Sequence, residues 1–241
     1  MSRIVWLILP TFNELANIER ASTAAARELE RVAPGSFRVL IVDDSSPDGT
    51  GEVADRLAAA SNGTIEVLHR PHREGLGPAY LAGFTRALAA GADLVLEMDA
   101  DMSHDPTDIG RLVAAIDEGA DLALGSRYTR GGAVADWGRL RRLVSRGGCL
   151  YARLLLDLPI RDLTGGFKCF RREVLEAIDL PTVRALGYVF QVELTLRAVR
   201  HGFRVVEVPI TFHDRQHGRS KMSARIAVEA AWLLPQLRAR R

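Results

Sequence analysis

Three short runs in this chain combine carboxylates with hydroxyl or aromatic side chains: Pro10-Thr11-Phe12-Asn13-Glu14, Asp43-Asp44-Ser45-Ser46-Pro47-Asp48-Gly49-Thr50, and Asp99-Ala100-Asp101-Met102-Ser103-His104. In the last run two aspartates stand one residue apart, directly after the apolar residues 94–98. At a strand end such a pair can turn both carboxylates towards one ligand. Hard oxygen donors of this kind suit Mg²⁺ or Mn²⁺, with positions left over for phosphate oxygens. The plainer use of the same residues is helix N-capping by Asp101, Ser103 or Asp105, and Asp105-Pro106 is itself a helix start. Asp43 and Asp44 could accept hydrogen bonds from a base or a ribose, a role compatible with a simple strand-to-helix turn capped by Thr50. Glycine-based phosphate loops are missing: residues 10–14 hold no glycine, Gly75-Leu76-Gly77 lacks the third glycine of the dinucleotide fingerprint, and no GxxxxGK[ST] occurs.

These runs need a scaffold that gathers them. Residues 4–9, 38–42, 65–69, 94–98 and 121–124 are short β-branched or Leu-rich segments, and residues 14–32, 50–60, 76–90 and 107–118 between them are Ala-rich with helical spacing. Strand–helix alternation implies right-handed crossovers and an α/β fold with a mostly parallel central sheet flanked by helices. Near-continuous apolar strands such as Val39-Leu40-Ile41-Val42 fit burial on both faces. In open parallel sheets ligands bind beyond the strand ends, so three acidic or polar runs on one sheet edge point to a site. Beyond Tyr128 the spacing predicts a basic amphipathic helix over 139–157, a strand over 167–170, a helix over 189–201, a strand over 203–207 and a terminal helix over 223–237. One domain is expected, with residues 1–125 as a ligand-binding half, 126–222 as a second half and 223–241 as a C-terminal amphipathic helix.

Composition excludes several classes. The 241 residues carry 47% hydrophobic and 26% charged side chains and a net charge of +2, an ordinary globular balance that does not by itself imply a nucleic-acid binder, and the basic residues are not interleaved with stacking aromatic side chains. Cys149 and Cys169 have no metal-type spacing and read as buried thiols of a reducing, cytoplasmic compartment. No signal-peptide pattern follows Met1, and no stretch approaches the roughly 18–20 apolar residues of a membrane span. Basic residues cluster instead: seven arginines lie between Arg127 and Arg153, and Arg215, Arg219 and Lys221 form a second group. Residues 139–157 and 223–237 pair arginines with leucines and aromatic side chains, a pattern that suits the bilayer interface as well as packing on the domain.

In this order the motifs resemble glycosyltransferase family 2 proteins of the GT-A fold, and within them the dolichyl-phosphate (polyprenyl-phosphate) mannosyltransferases. The matching residues are the three runs above together with Gly125-Ser126-Arg127-Tyr128, Ser145-Arg146-Gly147, Asp162-Leu163-Thr164-Gly165-Gly166-Phe167, Gly187-Tyr188-Val189-Phe190-Gln191 and Ser220-Lys221-Met222. The resemblance implies a metal-dependent, inverting transfer of mannose from GDP-mannose to a polyprenyl phosphate. It implies that Pro10, Phe12, Glu14, Ile41 and Asp43 hold the nucleoside, and that Asp99, Ala100 and Asp101 sit at the diphosphate. Asp101 would be the main metal ligand, beside Asp99 and Ser103. Arg127, Arg215 and Lys221 would contact phosphates, and Arg127, Arg141 and Ser145 the acceptor phosphate; Asp99, Asp101 and Arg127 are the expected catalytic residues. Phe12 stands where Tyr is common and Ser103 where some members have Gln.

An acceptor phosphate is largely ionised near neutral pH, its second pKa being about 6, so cationic positioning matters more than a general base. The expected location is the cytoplasmic face of a membrane, held peripherally, with a separate integral-membrane anchoring partner as a further option. Two other readings share these residues: a family 2 transferase using a UDP-sugar, such as a polyprenyl-phosphate glucosyltransferase, and a nucleotide-sugar-binding module without turnover.

Overall fold

Two faces of burial explain the strands. In β1 (Val5–Thr11), Val5, Leu7 and Leu9 enter one hydrophobic cluster while Trp6 and Ile8 enter the other. In β2 (Phe37–Asp43), Val39 and Ile41 oppose Leu40 and Val42 in the same way. Strands buried on both faces need helices on both faces. A computed structural model, describing residues 3–183, 185, 187–214 and 233–239, supplies them. After β2 come α2 (Thr50–Ala60), β3 (Ile65–His69), α3 (Leu76–Ala89) and β4 (Leu94–Glu97). A 3₁₀ turn (Pro106–Asp108) leads into α4 (Ile109–Asp117) and β5 (Leu122–Ser126). The chain continues through β6 (Ala133–Val134), α5 (Arg139–Leu156), β7 (Lys168–Arg171), α6 (Arg172–Ala177), α7 (Gly187–Arg200), β8 (Val205–Pro209) and β9 (Thr211–Phe212). Helix α1 (Ile18–Val32) joins β1 to β2.

The seven-stranded sheet runs β3-β2-β1-β4-β7-β5-β8, and β7 alone is antiparallel to its neighbours. A mostly parallel sheet is therefore what forms. The antiparallel insertion of β7 and the small parallel pair β6/β9 were not legible in the periodicity, because both are set by which strands meet in space. Helix α1 begins four residues later than the expected 14–32. The amides of Glu14 and Leu15 are taken by Thr50 Oγ1 (3.0 Å) and Asp48 Oδ2 (3.2 Å), which hold the chain in a turn that starts helical pairing only at Ile18. Residues 233–239 are helical, and the remainder of the expected terminal helix lies outside the described residues.

Helix α3 packs its backbone directly on the sheet. A β-carbon at Gly83 would stand 2.4 Å from Ile8 Cγ2 and 3.3 Å from Val42 Cγ2. Alanine gains about 1 kcal/mol over glycine in a helix interior, but overpacking of a stiff, buried isoleucine costs typically 1–3 kcal/mol. Gly83→Ala is thus expected to be destabilising, by about 1 kcal/mol net, and to lower the Tm by a few degrees. A Tm raised by the substitution in a thermal melt would show that α3 is not seated this closely.

Candidate active site

The register delivers the three polar runs to one edge. Thr11 stands opposite Asp43, and Ile8 opposite Glu97, so the chain leaving β1, β2 and β4 emerges at the same end of the sheet. A cleft there is lined by Pro10, Thr11, Phe12, Glu14, Asp44, Arg73, Gly75, Leu76, Ala79, Asp99, Ala100, Asp101, Gly187 and Tyr188. Of the expected nucleoside residues, Pro10, Phe12 and Glu14 are in its wall. Asp43 and Ile41 are not. Ile41 is fully buried in the core below, so its side chain is out of reach of a ligand. Asp43 is turned inwards, accepting from Thr11 Oγ1 (3.4 Å) and the Ser46 amide (3.3 Å).

Asp44, equally buried, takes the place in the wall. Its carboxylate accepts from Arg70 Nη1 (2.5 Å) and the amides of Glu74 (3.2 Å) and Gly75 (2.7 Å), fixing loop 70–75 over the cleft. The sequence offered both aspartates equally; only the twist of the chain after β2 separates their roles.

Asp99 and Asp101 both face the cleft, with Ala100 between them. Tyr80 donates its hydroxyl to Asp99 Oδ1 (3.3 Å), and burial, reinforced by Asp99, holds the Tyr80 phenol well above its usual pKa. Asp101 Oδ1 accepts from the Ser103 amide (3.0 Å), a local turn in the loop; of the three candidate helix caps it is Asp105 that caps the 3₁₀ turn, accepting from the Thr107 amide (2.9 Å). His104 Nδ1 accepts from the Asp99 amide (3.4 Å), so the ring is neutral. Burial pushes its pKa down to about 4, against the pull of Asp101. Ser103 Oγ is buried beside this loop without a hydrogen-bond partner among the described residues, and it is not part of the cleft wall. Two hard carboxylates with an orphaned hydroxyl nearby fit a Mg²⁺ or Mn²⁺ that keeps open positions for phosphate oxygens and water. No cluster of three His, Cys, Asp or Glu side chains able to hold a metal exists among the described residues.

Beneath the aspartates, Glu97 and Lys168 are register partners in β4 and β7 and form a fully buried ion pair of 3.0 Å. Lys168 also donates to Gln191 Oε1. Burial raises the Glu97 pKa and lowers that of Lys168, each only partly offset by the other, so the pair gives little net stability.

A second cluster gathers the expected acceptor residues. The Arg127 guanidinium is clamped by Asp162, with Nε to Oδ2 at 2.7 Å and Nη2 to Oδ1 at 2.6 Å, and Nη2 also reaches Thr164 Oγ1 at 2.8 Å. Arg127 is only 7% exposed and is not in the cleft wall. Burial opposes its charge, but Asp162 outweighs this and holds its pKa above the ordinary value. Ser145 accepts from the Tyr128 hydroxyl (2.7 Å), and Arg141 pairs with Asp214 (2.8 Å) while lying 4.1 Å over the Trp137 ring. The rings of Trp137, Phe212 and His104 form a chain at 5.4 and 5.1 Å, ending at the Asp99 loop. Sequence reasoning missed Asp162, Trp137 and Phe212 as partners. Their signal was only the quoted block around Asp162; the β6/β9 pairing that delivers Phe212 left none. Arg215 and Lys221 lie outside the described residues.

Helix α5 carries Arg141, Ser145, Cys149, Ala152 and Leu156 on the side turned to the domain. Its opposite side bears Leu140, Leu143, Leu150 and Leu154, respectively 74%, 69%, 53% and 71% exposed, at helical spacing. The apolar stripe therefore faces away from the core. Among the described residues no helix is long and apolar enough to cross a membrane.

The protein-family description that matches this chain is "Glycosyl transferase family 2", over residues 6–179. A polyprenol monophosphomannose synthase of Mycolicibacterium smegmatis is 48% identical over 217 residues, covering 90% of this chain and 80% of that protein. An undecaprenyl-phosphate mannosyltransferase of Micrococcus luteus is 45% identical over 226 residues, covering 94% and 90%. Among solved structures, the glucosyl-3-phosphoglycerate synthase of Mycobacterium tuberculosis, in complex with Mn²⁺, UDP and its product, aligns with a TM-score of 0.68. It is 22% identical and covers 99% of this chain and 80% of that one, a likeness of fold.

Proposed function

Because this chain belongs to glycosyl transferase family 2 and has the GT-A fold, we propose that it transfers mannose from GDP-mannose to a polyprenyl phosphate, with inversion. The observation that carries this reading is one cleft presenting an aromatic face, Phe12, and two adjacent carboxylates, Asp99 and Asp101, in a chain 48% identical to a polyprenol monophosphomannose synthase.

In the proposed reaction an ionised oxygen of the acceptor phosphate attacks the anomeric carbon. A new C–O bond to the polyprenyl phosphate forms as the bond to the donor diphosphate breaks, and the electron pair leaves with GDP. A divalent metal at Asp99 and Asp101 would neutralise the charge developing on that leaving group. Phe12 stacks the nucleoside, and Pro10 and Glu14 shape its slot. Arg127 acts from its clamp with Asp162: it holds the aromatic cluster that sets Arg141 and Ser145 at the head of α5, where the acceptor phosphate is expected. No proton needs to be removed from such an acceptor, which agrees with His104 being buried, neutral and already hydrogen-bonded.

The exposed leucine stripe of α5, flanked by Arg139, Arg142, Arg146 and Arg153, supports peripheral attachment to an anionic membrane surface. The triple substitution Leu140→Asp, Leu143→Asp, Leu154→Asp is expected to weaken sedimentation with phosphatidylglycerol-containing vesicles by about tenfold or more while leaving the Tm unchanged. Undiminished sedimentation would assign attachment elsewhere.

The function is tested by incubating purified protein with Mg²⁺, a polyprenyl phosphate and labelled GDP-mannose, UDP-glucose or UDP-GlcNAc in separate reactions. Label entering the organic phase from GDP-mannose alone is the expected result. Label from a UDP-sugar would move the donor, and donor binding without any product would favour a module without turnover.

A further inference from the structure

Arg73 is the one cleft-lining residue whose positive charge has no carboxylate partner among the described residues. Its neighbours are committed: Arg70 pairs with Asp44 and Glu74, and His72 lies 3.6 Å from Glu74. Arg73 instead lays its guanidinium on the ring of Phe12, with the central carbon 3.8 Å from the ring centroid. The loop beneath it is pinned on both sides. Arg70 donates its backbone amide to Asp43 O (2.9 Å) and its side chain to Asp44, and the amides of Glu74 and Gly75 also bind Asp44. A side chain mounted on such an anchored loop can lift and return while the loop stays in place.

Two dimensions give this contact a meaning. A planar guanidinium in van der Waals contact with a ring leaves no room for a third plane, whereas a base between them needs a separation of about 7 Å, two contacts of roughly 3.5 Å each. The cleft measures about 200 Å³, below the roughly 300 Å³ at which small-molecule pockets begin. We propose that Arg73 is the movable second wall of the nucleobase slot: it lifts from Phe12, the base of the donor enters between the two planes, and the guanidinium closes on the base's outer face. Arginine planes stack on bases as aromatic rings do, and the cation strengthens the contact. The assignment is to the base and not to the diphosphate because Arg73 meets the aromatic residue of the cleft, while the aspartates follow β4, on the other flank of β1 from β2 and the loop that carries Arg73. This inference rests on the nucleoside-diphosphate donor of the reading above.

Calorimetric titration of GDP, UDP and pyrophosphate, each with saturating Mn²⁺, into wild type, Arg73→Ala and Arg73→Lys tests it. Arg73→Ala is expected to weaken the better-bound nucleotide about tenfold, the scale of one lost stacking partner, and to leave pyrophosphate within about twofold. Arg73→Lys, which keeps the charge but not the plane, is expected to recover little of the loss. An equal loss for pyrophosphate would make Arg73 a phosphate contact, and a lysine variant with wild-type affinity would make it a simple charge. An unchanged alanine variant would leave it a surface residue; each of these three overturns the proposal. Failure is distinguishable from that of the transferase reading, because wild type binding neither nucleotide overturns both, whereas wild type preferring UDP changes the donor and still measures the wall.

Discussion

Asp101→Asn is expected to lower kcat by about 10²–10³-fold while leaving the fold intact, the range seen when one group that stabilises developing charge is removed. Asparagine is the informative replacement. Its side-chain oxygen can still accept the Ser103 amide that Asp101 now holds at 3.0 Å, so the loop keeps its shape and only the charge is lost. Asp101→Ala also removes that acceptor and strands a buried N–H, adding a stability cost of about 1–3 kcal/mol. Raised Mg²⁺ or Mn²⁺ should recover part of the asparagine variant's rate and none of the alanine variant's Tm. An asparagine variant retaining more than about a tenth of wild-type kcat would show that Asp101 only holds the loop in shape and that charge at the diphosphate is handled elsewhere.

The second large effect concerns stability. Arg127→Ala leaves Asp162, fully buried, without the guanidinium that now neutralises it. Removing one member of a buried, hydrogen-bonded pair costs about 3–5 kcal/mol, which for a chain of this size lowers the Tm by roughly 10 °C. A drop of less than about 3 °C would mean that water reaches Asp162. The clamp also sets a pH dependence. Burial works against ionised Asp162, but Arg127 prevails and holds its folded pKa below 3.8. A carboxyl depressed in the folded state contributes stability that is fully present above its unfolded pKa and lost as pH falls through the folded one. The clamp's contribution is therefore expected to persist down to about pH 4 and to fade below it, which denaturant titrations of wild type and Arg127→Ala would reveal as curves converging in acid. The Glu97–Lys168 pair contrasts with it. There burial prevails for both members, so replacing the two together by apolar residues of similar volume is expected to be close to neutral.

The expected α/β sheet is borne out because its signals are local. Apolar runs short enough to be strands, separated by helical periods, leave few other ways to bury both faces. The same holds for the gathering of Phe12, Asp99 and Asp101: consecutive parallel strands must send their C-terminal ends to one edge, so residues placed just beyond them meet there without further information. The family itself was legible in the quoted motifs, since matches to residues 6–179 and to relatives at 48% and 45% identity bear them out.

Other features depend on contacts between segments far apart in sequence, and these only the tertiary structure decided. Asp43 and Asp44 are adjacent, chemically identical and both buried, yet the turn after β2 ties one to Thr11 and the other to loop 70–75. Arg127 and Asp162 are 35 residues apart, and their pairing turned a residue expected at the phosphates into the centre of a buried clamp. Phe212 reaches His104 only because β9 pairs with β6. On α5 the spacing announced an amphipathic helix but could not say which stripe meets the domain. Packing of Cys149 and Ala152 against the body settled that, leaving the leucines outside. The sequence thus determined which chemical groups exist and which sheet edge they reach, because periodicity and strand polarity act over a few residues. Which groups face the ligand was left to tertiary contacts, because burial and pairing belong to the neighbour a side chain meets and no local pattern records that neighbour.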